Sequence, residues 1–443
     1  MSATRQTLSF VPQSCSLSRT CSKHYPCKQS LVRSSQRLGK FSLRSSNDSN
    51  GFDGLSSALS LLEAQWQDQQ SSVSASERNK KNRWEKLVLD NFNSDEDNEQ
   101  QEQSFRSSTT SQQGMQTVYL LKPPNNSRPS SIILFLGGAV LGSYPHIAYS
   151  ELLHRISDMT NAAILAVPYE IGINHLDIAK SCEKLFQKAI RYVDQNMYHQ
   201  PSSAEAAIDS LPKYALGHSL GCKLHVIRMA AIPNSGQELR GIGYISFNNY
   251  GLANSISMGR SFANQLNGQP AQQSNNEPMM DVVFSFMEQA AQGIGIDFTP
   301  SPADTERIIS MKFTPELQRK CRLFQFDDDE LDCTNDFVRC CPSSSTGPSL
   351  SSLPGTHLTP VYLKFGVDDL PETAQMFAGQ VTDFQSASFG NEGQLDTLVQ
   401  EICDWMDGKP PTTRTPPTSK NEMYERSRRA PRITGSVIDA EID

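Results

Sequence analysis

The sequence has no apolar run long enough to cross a membrane as a helix. The nearest approach, residues 132–142, is interrupted by glycines and falls short of the ~18 apolar residues that such a helix needs. Contact with a membrane surface stays open. Excess basic charge is absent as well: the net charge is -8, and the clustered basic patch from Arg426 to Arg432 lies in a polar tail. The composition therefore gives no electrostatic basis for binding nucleic acid.

Cysteine pairs with metal-site or redox spacing are also absent. Seven cysteines follow residue 46, at irregular spacing and with no C-x-x-C motif: Cys182, Cys222, Cys321, Cys333, Cys340, Cys341 and Cys403. An odd, irregular set argues against a disulfide framework. We expect free or buried thiols, and we expect neither a metal nor an organic cofactor.

Acidic residues are missing from the start of the chain, where none precedes Asp48. Residues 1–46 are instead rich in serine, lysine and arginine, a composition typical of an organelle transit peptide, and the serine excess favours the plastid. We therefore expect a chloroplast stromal protein. The alternative is an ordinary disordered terminus; a secretory signal is disfavoured because no apolar core segment is present.

Apolar residues make up 37% of the chain, and the long apolar runs all fall in one region. We predict a folded domain over residues 115–408. The preceding segment, 47–114, is mostly polar and predicted to be mostly disordered, with short helices near residues 55–66 and 84–88. Residues 409–443, rich in proline and threonine and then charged, are predicted to be a disordered tail.

Strand and helix patterns alternate within the predicted domain, which is typical of an α/β fold. The strands are predicted at 117–121, 132–136, 163–167, 214–216, 242–247, 322–326 and 350–354, and the helices at 148–157, 176–196, 222–231 and 395–406. Several strands are apolar on both faces, as in a buried parallel sheet. We expect an α/β fold: a mostly parallel central sheet, flanked by helices, with a helical lid-like insertion at 251–320. That insertion either caps an acyl pocket or adds to the core.

A G-x-S-x-G motif, Gly217-His218-Ser219-Leu220-Gly221, stands between a predicted strand and a predicted helix. In that setting a sharp turn exposes the serine hydroxyl above the sheet, and small flanking residues are needed because the turn is crowded. Ser219 is therefore a candidate nucleophile. The alternative is a glycine-rich turn whose serine caps the helix.

A nucleophilic serine needs a base and an acid, which follow it in the order acid, then histidine, in α/β-hydrolases. Of the two histidines after Ser219, His225 lies on the predicted helix, which leaves His357 as the base. Residues 327–332, just after a predicted strand, contain five carboxylates. We choose Asp329 as the acid, with Asp332 and Asp328 still open.

Two backbone N–H groups are needed to bind the oxyanion that forms during acyl transfer. One should come from the residue after the nucleophile, Leu220, and the other from the loop after the strand at 132–136. In that loop Ala139 is the expected donor, followed by Gly138.

Seven stretches resemble one protein family: FLGGA (135–139), AVPY (166–169), HLDIA (175–179), GHSLGCKLH (217–225), ISFNN (245–249), DFTPSP (297–302) and LPGTHLTP (353–360). Together they are similar to the domain of unknown function family DUF1350, over residues 116–406. The resemblance implies an α/β-hydrolase fold and a protein of photosynthetic organisms, often directed to the plastid. It implies no substrate.

The resulting hypothesis is a serine hydrolase, esterase- or lipase-like, that acts on a small-molecule ester, lipid or other acyl substrate through Ser219, His357 and Asp329. Two alternatives stay open at this point. The chain is either a binding or scaffold protein that keeps the fold without turnover, or an acyltransferase whose acceptor is an alcohol or amine. The substrate and the oligomeric state do not follow from the sequence.

Overall fold

The computed structural model describes residues 59–60, 62–64, 66–67, 83–89, 116–198, 207–255, 297–341, 347–366 and 386–413. The predicted transit peptide, the polar segment at 90–115, the apolar part of the predicted lid and the chain beyond residue 413 lie outside the described residues.

An eight-stranded sheet forms the centre of the described structure. Its strands, in chain order, are β1 (Trp84–Val88), β2 (Thr117–Leu121), β3 (Ser131–Leu136), β4 (Ala162–Ala166), β5 (Lys213–His218), β6 (Leu239–Ile245), β7 (Cys321–Phe326) and β8 (Ser349–Leu353). They lie in the order β1-β2-β4-β3-β5-β6-β7-β8. The pairs β1/β2 and β2/β4 are antiparallel, and all later neighbours are parallel. The predicted mostly parallel sheet is confirmed. A separate antiparallel pair joins β9 (Leu363–Gly366) to β10 (Ser386–Phe389).

Most of the described helices lie in the connections between strands. They are α1 (Pro145–Ala148), α2 (Ser150–Thr160), α3 (His175–Asn196), α4 (Leu220–Ala231), α5 (Pro302–Lys312), α6 (Pro315–Lys320), α7 (Thr334–Cys340) and α8 (Glu392–Met406). Single 3-10 turns occur at Pro124–Asn126, Leu141–Ser143 and Ile208–Ser210. Residues 59–60, 62–64, 66–67 and 252–255 are also helical. No helix in the described parts of the chain is both long and apolar enough to cross a membrane.

The segment predicted as a helix near residues 84–88 is a strand, and that prediction was wrong. Trp84 and Leu87 belong to two different apolar clusters, one on each face of the sheet. A spacing of three residues puts side chains on opposite faces of a strand, whereas in a helix it puts them on the same face. Antiparallel pairing with β2 selects the strand, so the sheet includes residues that precede the predicted domain start at 115.

Alternate residues of the central strands pack into two separate hydrophobic cores, one on each face of the sheet. In β3, Ile132, Leu134 and Leu136 join the cluster that packs against α3 and α4, whereas Ile133 and Phe135 join the cluster that packs against α2 and α8. Burial on both faces explains why this strand is apolar throughout. The seven cysteines after residue 46 are free thiols, as expected.

Four loops meet at one edge of this sheet, because the carboxyl ends of parallel strands lie together. Residues 137–139 follow β3, Ser219 follows β5, residues 327–332 follow β7, and residues 354–358 follow β8. We call 137–139 the oxyanion loop, 327–332 the acidic loop and 354–358 the histidine loop. All predicted site residues lie on these loops or on the first turn of α4.

Candidate active site

Ser219 occupies a strained turn between β5 and α4. Its backbone has φ 53° and ψ -119°, a region that residues with a side chain rarely adopt. A Cβ at Gly221 would collide with the carbonyl oxygen of Leu136, so the second glycine of the motif is required by the close approach of β3. The Ser219 side chain makes no helix-capping hydrogen bond. The geometry is that of a nucleophile elbow and not of a capping serine.

His357 lies within hydrogen-bond distance of both Ser219 and Asp329. Its Nε2 is 2.9 Å from Ser219 Oγ, and its Nδ1 is 3.0 Å and 3.1 Å from the two carboxylate oxygens of Asp329. Because a carboxylate only accepts, Nδ1 carries the proton and Nε2 accepts from the serine hydroxyl. The Asp329 side chain is fully buried. Burial alone would raise the pKa of Asp329, but the hydrogen bond and charge of His357 outweigh it and hold this pKa below its usual value.

The contacts of Asp329 differ from those of Asp328 and Asp332, the other two candidate acids of the acidic loop. Asp328 is exposed, and its backbone N–H donates to Gly355. Asp332 accepts the N–H of Thr334 at 2.7 Å, at the start of α7, and burial raises the pKa of Asp332 to about 7. Of the three aspartates left open by the sequence, Asp329 is the one hydrogen-bonded to His357.

Two of the predicted oxyanion donors, Leu220 and Gly138, lie beside Ser219. Leu220 is the first residue of α4, and the first N–H groups of a helix have no acceptor within it. The oxyanion loop is adjacent, since a Cβ at Gly138 would lie 3.2 Å from Ser219 Cβ. The N–H of Gly138, however, donates to the hydroxyl of Tyr149 at 2.8 Å. That bond already occupies the Gly138 N–H, so Ala139 is the member of this predicted pair left to face an oxyanion.

Two buried residues next to the site were missed by sequence reasoning. The Tyr149 hydroxyl is 2.8 Å from Nδ1 of His218, and Nε2 of His218 is 2.9 Å from the backbone oxygen of His357. His218 carried a signal in its place within the motif, directly before Ser219. Tyr149 carried none, because its contact with His218 spans 69 residues.

A buried lysine lies one turn beyond Ser219 on α4. Lys223 is 1% exposed, and its Nζ is 5.5 Å from the centre of the Phe298 ring. Burial lowers the pKa of Lys223 to about 8, although the charge of Asp297 opposes that shift. The described residues contain no cluster of three or more histidine, cysteine, aspartate or glutamate side chains arranged to hold a metal ion.

A family model described as "Protein of unknown function (DUF1350)" matches residues 113–378. That span is more than half of the chain. The comparison with curated proteins found no match.

Several solved structures are similar to this chain. Est1E from Butyrivibrio proteoclasticus is 12% identical, with 66% of this chain and 93% of that chain covered and a TM-score of 0.34. The peroxisomal alpha-beta-hydrolase Lpx1 from Saccharomyces cerevisiae is 12% identical, with 70% and 88% covered and a TM-score of 0.37. An alpha/beta hydrolase superfamily protein from Enterococcus faecalis is 14% identical, with 66% and 95% covered and a TM-score of 0.37. The strand order and the elbow identify the α/β-hydrolase fold.

Proposed function

Since the chain belongs to the DUF1350 family and has the α/β-hydrolase fold, we propose that it is a serine hydrolase that cleaves a carboxylic ester or other acyl substrate. One observation carries the proposal: an unbroken line of hydrogen bonds from Asp329 through His357 to Ser219. A nucleophile, a base and an orienting acid in mutual contact are what acyl transfer through a covalent intermediate requires.

The reaction begins when Ser219 Oγ attacks the carbonyl carbon of the substrate and its proton passes to Nε2 of His357. Asp329 accepts the Nδ1 hydrogen bond and stabilises the imidazolium that forms. The negative charge on the carbonyl oxygen is held by the N–H groups of Ala139 and Leu220. The tetrahedral intermediate collapses to the acyl-serine when its bond to the alcohol oxygen breaks, and that oxygen takes the proton from His357. Water then gives a proton to His357 and attacks the acyl-serine. The bond to Ser219 breaks, Oγ takes the proton from His357, and the acid is released.

The burial of the site supports this chemistry. Ser219 is 8% exposed, and the carboxylate behind His357 is shielded from water. Hydrogen bonds in such surroundings are electrostatically stronger than in water. The strained Ser219 backbone points the same way, because strain of this kind persists only where surrounding structure maintains it and is concentrated at functional sites.

The experiment is covalent labelling with a fluorophosphonate probe, followed by mapping of the adduct by mass spectrometry. Wild type should be labelled at Ser219, and Ser219→Ala should not be labelled. Ser235→Ala is the matched control, because Ser235 is also buried but its hydroxyl donates to Arg228 O outside the site; it should be labelled at the wild-type rate. Folded wild-type protein without Ser219-dependent labelling would contradict the proposal and favour a scaffold protein.

Product analysis tests which acyl acceptor is used. We expect short- and long-chain p-nitrophenyl esters to give free acid even when an alcohol or amine acceptor is added. An acylated acceptor in place of the free acid would identify an acyltransferase and contradict hydrolysis.

We also propose that the protein works in the plastid stroma. The support is the basic, serine-rich and acid-free composition of residues 1–46. A fluorescent reporter fused after residue 60 should enter chloroplasts. A reporter that stays in the cytosol would contradict this location.

A further inference from the structure

A chain of three hydrogen bonds runs beneath the candidate site and uses none of the triad side chains. The N–H of Gly138 is 2.8 Å from Tyr149 Oη, and that hydroxyl is 2.8 Å from Nδ1 of His218. Nε2 of His218 is 2.9 Å from the carbonyl oxygen of His357. Tyr149 and His218 are almost completely buried, at 0% and 1% exposure. These three hydrogen bonds connect the oxyanion loop, the nucleophile elbow and the histidine loop.

The two ends of this chain determine the direction of every bond in it. The Gly138 N–H can only donate, and the His357 carbonyl can only accept. His218 must therefore carry its proton on Nε2 and accept at Nδ1, and the Tyr149 hydroxyl must donate to Nδ1 while it accepts from Gly138. Burial lowers the pKa of His218 to about 3, and burial raises the pKa of Tyr149 well above its usual value. Both side chains stay neutral, as this arrangement of protons requires.

Gly138, at one end of this series of hydrogen bonds, allows Tyr149 and His218 to approach the oxyanion loop closely. A Cβ at Gly138 would lie 3.1 Å from Nδ1 of His218 and 3.3 Å from Tyr149 Oη, tighter than ordinary van der Waals contact. A glycine has little intrinsic preference for one backbone conformation. An external contact must therefore orient the two peptide groups that flank Gly138, and the second of these groups carries the N–H of Ala139.

We propose that Tyr149 and His218 are positioning residues for the hydrolytic reaction. This inference rests on the proposed function. Tyr149 holds the peptide at Gly138 so that the Ala139 N–H faces the developing oxyanion. His218 holds the backbone of His357 so that the imidazole stays in reach of Ser219. Neither side chain touches the reacting atoms; each acts through the group that it orients.

The conformation of the histidine loop depends on the hydrogen bond from His218 to the carbonyl oxygen of His357. Gly355 has a φ of 145°, a conformation suited to glycine, and it directly precedes the turn in which Thr359 N–H donates to Thr356. The imidazole of His357 is held at its Nδ1 by Asp329. The bond from His218 adds a second fixed point, on the backbone of the same residue, and two points restrict the rotation of the imidazole more than one.

The test compares four variants: Tyr149→Phe, His218→Met, His218→Gln and the double variant Tyr149→Phe/His218→Met. For Tyr149→Phe and His218→Met we expect kcat on a p-nitrophenyl ester, and the rate of fluorophosphonate labelling, to fall about 10- to 100-fold, the effect of a small displacement of catalytic groups. KM should stay unchanged, because substrate binding in the ground state is not altered. His218→Gln should recover part of the loss, since its amide can still donate to the His357 carbonyl.

Two features separate positioning from a general loss of structure. Tyr244→Phe is the matched control, because Tyr244 is also a fully buried tyrosine but its hydroxyl lies against Met229 Sδ at 3.7 Å; its kcat should equal that of wild type. The loss in the double variant should be smaller than the product of the two single losses, because Tyr149 and His218 share a hydrogen bond and residues in contact have non-additive effects. Should Tyr149→Phe fail to fold, the comparison of His218→Gln with His218→Met carries the test.

The outcomes distinguish this inference from the proposed function. Wild-type kcat in Tyr149→Phe, in an enzyme whose activity depends on Ser219, would overturn the positioning role alone. Multiplicative losses in the double variant, or an equal loss in Tyr244→Phe, would overturn it as well. A folded wild-type protein without labelling or turnover would overturn both proposals together.

Discussion

Replacing Asp329 by asparagine should move the proton of His357 from Nδ1 to Nε2, with little change in the volume of the replaced side chain. In the wild type, Asp329 Oδ1 accepts the N–H of Leu331 at 2.9 Å, and the carboxylate also accepts from His357 Nδ1. In the variant, the amide oxygen of the asparagine must take the position that accepts the N–H of Leu331. The amide NH₂ is then left facing Nδ1. Because that group only donates, Nδ1 must lose its proton to Nε2, and Nε2 can no longer accept from Ser219.

The expected cost is that of a histidine in the wrong tautomer. In a Ser-His-Asp triad the change from aspartate to asparagine lowers kcat about 10⁴-fold, or ~5.5 kcal/mol at ~1.4 kcal/mol per tenfold change. The Asp329 carboxylate has no exposure to water, so solvent cannot easily replace its role. The oxyanion amides and the elbow do not change, and substrate binding should be preserved.

The assay measures kcat on a p-nitrophenyl ester and the rate constant of fluorophosphonate labelling for wild type, Asp329→Asn and Asp328→Asn. Asp328 is the matched control, since it lies on the same loop but is exposed. Its variant should react like wild type. A labelling rate of Asp329→Asn within about tenfold of wild type would refute the tautomer argument, because it would mean that the orientation of His357 does not depend on this carboxylate.

Three further predictions concern stability, measured by urea unfolding. Ser219→Gly should be more stable than Ser219→Ala by about 1 kcal/mol, because glycine relieves the strain at φ 53°; equal stabilities would show that the turn is unstrained. Lys223→Met should gain about 3 kcal/mol of stability at pH 7, because a pKa of about 8 in the folded protein against 10.5 in the unfolded chain penalises the charged lysine. The unfolded chain binds the extra proton between these values, so the gain should shrink as the pH rises from 8 to 10.5; a gain that is constant with pH would contradict the titration. Arg322→Met should lose about 3 to 5 kcal/mol of stability by leaving Glu401 buried without its cation, and Arg322→Met/Glu401→Met should recover part of that loss. No recovery would show that the ion pair is not the cause.

Local sequence patterns determined most of the sheet and the position of the candidate nucleophile. The run at 132–136 is apolar at every position, which suits a strand buried on both faces, and β3 is such a strand. The motif from Gly217 to Gly221 predicted the elbow, because such a turn is too crowded for a side chain at the positions of its two glycines. His357 followed by elimination, since one other histidine lies beyond Ser219 and it belongs to a helix.

Tertiary structure alone decided the features that depend on contacts between distant residues. Pairing with β2 made a strand of residues 84–88, although their local spacing also fits a helix. Among the carboxylates of the acidic loop, the approach of the histidine loop selected Asp329. The roles of Tyr149 and Gly138 depend on a hydroxyl and an amide brought together by the order of the strands. A sequence pattern reports which face of an element is apolar, whereas a hydrogen bond depends on positions in space that only the folded sheet establishes.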